Sequence, residues 1–133
     1  MTFRLAAPLL LAALVGGCAP IPQRPSHRAL VDEALARAAT QVRGCYRSPR
    51  VSFRGRQIVT RLRVRFTPEG QLAGLPIVMY QDGVTPENRL YADRMAQAAI
   101  EAVMRCTPLR LPPALYQDGW AAFELTFSPH GVA

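Results

Sequence analysis

Lysine is absent from this 133-residue chain; all sixteen basic residues are arginine. Histidine is nearly so, with His27 and His130 both in the terminal segments, and cysteine occurs three times. The nine acidic residues are scattered. These shortages exclude whole classes of chemistry. A metal centre needs several converging His, Cys or carboxylate ligands, and no segment offers them. General acid–base catalysis needs titratable groups that meet in a pocket, whereas Glu69 and Asp82 belong to turns and no Ser–His or Cys–His constellation has a scaffold. Nucleic-acid binding has no motif here, and no aromatics interleave with the arginines. The chain reads as non-catalytic, with no metal, no cofactor and no nucleic-acid partner. Exclusive use of Arg accompanies frequent Ala and Pro, a compositional bias rather than a special chemistry.

What is present is organised around Gln57 to Tyr80. Ile58, Thr60, Leu62, Val64 and Phe66 alternate with Val59, Arg61, Arg63 and Arg65, the pattern of a half-buried strand. Thr67-Pro68-Glu69-Gly70 supplies a turn, with Pro to set φ and Gly to permit a positive φ. A second apolar run from Leu72 to Tyr80 returns as the partner strand of a hairpin. Charge is uneven: eleven Arg between Arg24 and Arg65 face only Asp32 and Glu33, while the chain from Phe66 onward is net acidic. A basic front half suits an anionic partner.

In chain order, residues 1–17 read as an export leader. Arg4 gives the positive start, and Leu5 to Val15 is an apolar run too short to span a bilayer comfortably. Leu14-Val15-Gly16-Gly17-Cys18-Ala19 resembles a bacterial lipobox, which implies acylation of Cys18 and attachment to the outer membrane, facing the periplasm. Residues 18–28 are a Pro-rich tether reaching ~30 Å at ~3.1 Å per residue. Residues 29–133 are one domain. Ser26 caps a first helix with Val31, Leu35, Ala38, Val42 and Cys45 on one face. Thr85-Pro86 starts a second helix that runs to about Cys106, with Tyr91, Met95, Ala98, Ala99, Ala102 and Cys106 inward. Leu111-Pro112-Pro113 reads as an extended linker and Asp118-Gly119 as a turn. Ala121, Phe123, Leu125 and Phe127 face inward from a third strand.

The expected fold class is therefore α+β: a small αββαβ domain with a three-stranded antiparallel sheet, order 2-1-3, and two helices on one face. Arg61, Arg63 and Arg65 lie on the open face. With Cys18 acylated, Cys45 and Cys106 remain as an even pair in an oxidising compartment, each at the inner C-terminal end of a helix. A bridge would close a loop worth about 4 kcal/mol in the chain-entropy model. A metal site lacks ligands and a nucleophile lacks a base, so a structural disulfide is expected.

From about Leu30 to Pro129 the chain resembles the C-terminal domain of TolA, related in fold to that of TonB. The resemblance rests on Cys45-Tyr46-Arg47-Ser48-Pro49, Phe66-Thr67-Pro68-Glu69-Gly70, Ala102-Val103-Met104-Arg105-Cys106-Thr107-Pro108, Leu111-Pro112, Tyr116, Trp120 and Phe127-Ser128-Pro129. It implies the αββαβ fold, the Cys45–Cys106 bridge and a binding role in the Tol-Pal system of the cell envelope. Partners such as a TolB-type peptide would join by strand addition at an exposed sheet edge. Neither a membrane-spanning helix nor a long Ala/Lys/Glu-rich stalk occurs in this sequence, so the expected role is adaptor rather than force transducer. Pro76 weakens the second strand as a template, which directs docking to the third strand: Ala121, Phe123, Leu125 and Phe127. The alternative is an anionic-surface binder using Arg61, Arg63 and Arg65 against lipopolysaccharide, phospholipid or cell-wall polymer; its simpler counterpart is a solvated sheet face paired with Glu124.

Overall fold

A computed structural model describes residues 16–133, so the expected leader lies outside the described residues except for Gly16 and Gly17. Helix α1 (His27–Cys45) starts where Ser26 Oγ accepts the Ala29 N–H at 3.1 Å, satisfying one of the orphan donors of the first turn. Its contact face is built from small residues: Ala34, Ala38, Ala39 and Val42 are buried, while Val31, Leu35 and Cys45 are half-buried. An Ala-rich face brings the helix axis close to its neighbours. The exposed Glu33–Arg37 pair at 2.6 Å adds only a few tenths of a kcal/mol, at roughly 0.3–0.5.

Strand β1 (Val59–Arg65) keeps the alternation of its sequence: Thr60, Leu62 and Val64 are buried, Arg63 and Arg65 exposed. The turn after it closes through the Gly70 N–H on Thr67 O at 2.9 Å. Gly70 has φ +82°, and a Cβ there would strike the Leu109 backbone, whose N–H donates to Gly70 O at 2.9 Å. Only glycine fits both demands. The returning run does not pair continuously. Phe66 bridges Leu72, the chain then breaks at Gly74 and Pro76, and strand β2 (Ile77–Asp82) begins afterwards. Its register against β1 jumps between Arg61↔Tyr80 and Leu62↔Val78, which leaves Met79 as a bulge.

Helix α2 (Ala92–Cys106) starts later than Thr85-Pro86 suggested. Thr85 and Asn88 instead close a single turn on each other. The Thr85 N–H donates to Asn88 Oδ1 at 2.7 Å and the Asn88 N–H to Thr85 Oγ1 at 3.3 Å. Asn88 Nδ2 then donates to Arg54 O (2.9 Å) and Gly83 O (2.8 Å), which ties this turn to the loop before β1. Met95, Ala99, Ala102 and Val103 of α2 are buried.

Beyond α2, Leu111 and Pro112 stay outside any helix, Pro112 with extended backbone, and Pro113 opens a 3-10 turn, Pro113–Leu115, that runs into a wide turn, Tyr116–Trp120. It seats Trp120, 1% exposed, in the core, with Nε1–H donating to Pro112 O at 2.7 Å. Tyr116 Oη donates to Phe66 O at 2.8 Å, and its ring meets Trp120 edge-on at 4.8 Å. Strand β3 (Ala122–Ser128) pairs antiparallel with β1, and strand β4 (Gly131–Val132) folds back on β3.

The expected fold is thus corrected. The domain is α+β, but its sheet has four antiparallel strands, order β2-β1-β3-β4, and three helices accompany it among the described residues, not three strands with two helices. Two physical reasons account for the difference. Two residues are too few for β4 to display a period, and Pro113 with Gly119 reads as loop until Trp120 finds its place in the core. The core lies between the helices and one sheet face, around Leu62, Val64, Phe66, Trp120, Leu125 and Phe127. Cys45 and Cys106 are disulfide-bonded, Cα atoms 5.7 Å apart, joining the C-terminal ends of α1 and α2.

Candidate functional site

Three places in this architecture could receive a partner: the β2 edge, the β3 edge and the open sheet face. At β3, Phe123, Leu125 and Phe127 are 8%, 1% and 1% exposed and point under the helices, and Ala121 sits in the helical bend just before the strand. These side chains are core. The backbone edge of β3 is not free along its length either. β4 covers it at Phe127↔Val132 and Ser128↔Gly131, and Thr126 and Ala133 exchange hydrogen bonds of 2.7 and 2.9 Å. The fourth strand therefore covers the C-terminal part of the third-strand edge, Thr126 to Ser128.

The β2 edge is different. It forms one end of the sheet, and its outer row of N–H and C=O groups faces no strand among the described residues. Four successive apolar residues, Ile77, Val78, Met79 and Tyr80, are 52%, 38%, 44% and 46% exposed, and Leu75 just before them is 73% exposed. Register places Tyr80 and Ile77 with Arg61 and Arg63 on the open face, and Val78 with Leu62 on the helix side. Both faces of β2 thus carry uncovered apolar side chains. Sequence reasoning discounted this segment for Pro76. The signal that could have found it was the loss of alternation: a strand of Ile-Val-Met-Tyr wants cover on both faces.

On the open face, Glu124 stands opposite Arg63 in the β1–β3 register and reaches both Arg61 and Arg63 at 3.4 Å. The Arg61 guanidinium also lies 5.1 Å from the Tyr80 ring centroid, a cation–π contact. Arg65 has no carboxylate partner among the described residues and lies near Gly74. The three arginines share a face, but two of them are already engaged within the sheet.

Cys18 is exposed, eight residues before the Ser26 cap. The Tyr46 hydroxyl is buried without a hydrogen-bond partner, and burial pushes its pKa above the ordinary value of 10.0. The Ser48 side chain works in the opposite direction, with the smaller effect. Among the described residues no three His, Cys, Asp or Glu side chains gather as metal ligands, and no helix is long and apolar enough to cross a membrane.

A small disulfide-braced α+β domain with one uncovered apolar strand edge is the class these features define. The chain belongs to the family described as Uncharacterised conserved protein UCP034077, whose model matches residues 29–128. No curated protein matches it significantly. The family match carries no functional description and no link to TolA or TonB.

Proposed function

We propose that this protein is a non-catalytic adaptor of the cell envelope, TolA-like in mode, that binds extended partner segments by strand addition at β2. The observation that carries the reading is the unpaired β2 edge with Ile77, Val78, Met79 and Tyr80 all exposed. Such an edge offers both ingredients of strand addition: main-chain groups to bind with, and flanking side chains to select with. It is also a liability that proteins ordinarily blunt with charge, bulges or cover; here the Met79 bulge and the Arg61 guanidinium over Tyr80 blunt it only in part, and Ile77, Val78 and Met79 stay exposed. Leader-like residues 1–17 and the lipobox-like Cys18 support export and lipid anchoring at the outer membrane, on the periplasmic side.

The test is a titration of isotope-labelled residues 24–133 with the N-terminal peptide of a TolB-type protein, at low and high salt. Amide shifts concentrated on Ile77 to Asp82 that persist in high salt are the expected result, because backbone bonds and apolar contacts are screened little. Shifts confined to β3, or none anywhere, overturn strand addition at β2. The anionic-surface reading predicts shifts around Arg61 to Arg65 that vanish with salt; the Glu124 pairs count against it.

A further inference from the structure

From Ala34 to Pro68 the chain has nine arginines and no acidic residue. Several of these charges are accounted for. Arg37 pairs with Glu33, Arg61 and Arg63 share Glu124, and Arg43 donates to Val132 O at 2.7 Å. Arg47, Arg50, Arg54, Arg56 and Arg65 are not: none has a carboxylate or a side-chain hydrogen bond among the described residues, and of these Arg50 and Arg56 share one site. The two come together with Ser48 and His130 around a hollow of about 560 Å³ that no acidic side chain lines.

The walls of this hollow are held in place from several directions. Its first wall follows α1 directly, behind the Cys45–Cys106 bridge. The second is the Pro129-His130 turn between β3 and β4. Tyr46 and Phe127 meet edge to face at 5.4 Å and so clamp one wall to the other. Gly55 backs onto Val51, where an added Cβ would lie 2.8 Å from the Val51 Cβ. Residues 51 and 55 thus pack closely, and Arg50 and Arg56, six positions apart, both line the hollow.

We infer that this hollow is a binding site for a phosphate-bearing ligand. Two guanidinium groups offer planar forks of donors that match phosphate oxygens, and a hydroxyl and an imidazole add further polar contacts. The hollow is wide enough to take an organic group beside the phosphate. A lipid headgroup and a soluble phosphomonoester share this chemistry. The inference is independent of strand addition at β2.

The test uses the full chain in calorimetric titrations with inorganic phosphate and glycerol 3-phosphate, and in binding to phosphatidylglycerol against phosphatidylcholine vesicles. Arg50→Gln with Arg56→Gln is expected to weaken the phosphate-bearing probe by more than about tenfold, since charge-assisted hydrogen bonds are lost. Its melting temperature should stay at the wild-type value, since neither arginine side chain makes a hydrogen bond or ion pair in the fold among the described residues. Arg61→Gln with Arg63→Gln should leave binding unchanged. Glycerol 3-phosphate binding tighter than phosphate identifies a soluble source; vesicle binding alone that depends on Arg50 and Arg56 identifies a headgroup. Equal losses in the two double variants would mean diffuse charge attraction and overturn the site, as would binding of no probe.

Discussion

Asn88 is the residue whose replacement tests the packing argument most sharply. It is fully buried, and its side chain makes three hydrogen bonds, to Arg54 O, Gly83 O and the Thr85 N–H. Each is worth about 1 kcal/mol net, so Asn88→Ala should cost about 3 kcal/mol, with the emptied volume adding to it. Asn88→Asp has almost the same shape and should cost at least as much at neutral pH, about 3–5 kcal/mol. The reason is donor chemistry. The amide Nδ2 faces two carbonyl oxygens, and a carboxylate would turn a bare negative oxygen toward them. The variant's carboxyl would have a raised folded-state pKa, so its deficit should shrink as pH falls toward about 4 and the protonated acid regains one donor. Denaturant melts of wild type and both variants at two pH values measure this. A cost below about 0.5 kcal/mol for Asn88→Asp at neutral pH would refute the network argument. Because Asn88 also holds the chain at Gly83, directly after β2, amide exchange along Ile77 to Asp82 should quicken in both variants.

The disulfide spans a sequence separation of 61, so replacing Cys45 and Cys106 by Ala should lower unfolding free energy by about 4 kcal/mol; a loss below about 1 in melts would show that the reduced chain gains little freedom. Tyr46→Phe deletes an unpartnered buried hydroxyl and should be neutral or up to about 1 kcal/mol stabilising. Since the folded-state pKa of Tyr46 is raised, the wild type is at full stability below about pH 10 and loses stability above it as the phenol ionises. Alkaline melts of the Phe variant should lack that part of the decline, and identical profiles would refute the assignment. Gly70→Ala places a side chain at φ +82° against the Leu109 backbone and should cost about 1–3 kcal/mol; an unchanged melting temperature would contradict the close approach.

How much of this was legible in the sequence depended on whether a segment's burial was decided locally. β1 could be read residue by residue, because Thr60, Leu62 and Val64 go under the helices while Arg63 and Arg65 stay in solvent. The Ser26 cap and the Cys45–Cys106 pairing could be read as well, each from residue chemistry and spacing. Asn88 could not. A polar residue three after Thr85 looks like helix surface until Arg54, 34 positions earlier, supplies the carbonyl that buries it. The Pro113–Trp120 helix depends in the same way on Trp120 finding Pro112 O and the core. β2 misled in the opposite sense: Pro76 argued against a strand edge, yet Pro76 lies before the strand, where a missing N–H costs no ladder bond.

The two open features occupy different places on the sheet. The exposed apolar run of β2 begins at Ile77, whereas the basic hollow lies where the segment before β1 meets the turn between β3 and β4, toward the Asp82 end of β2. The arginines between them do not form one continuous basic field, because Glu124 draws Arg61 and Arg63 into the sheet's own cross-strand pairing. A strand docked on β2 and a phosphate group held by Arg50 and Arg56 should therefore bind without excluding each other, which is what an adaptor requires. Met79→Pro, which spoils the β2 backbone, should abolish peptide binding and leave phosphate affinity within about twofold of wild type. Competition between the two ligands, or loss of both in that variant, would mean that one surface serves both, and the separation of edge and hollow would have to be abandoned.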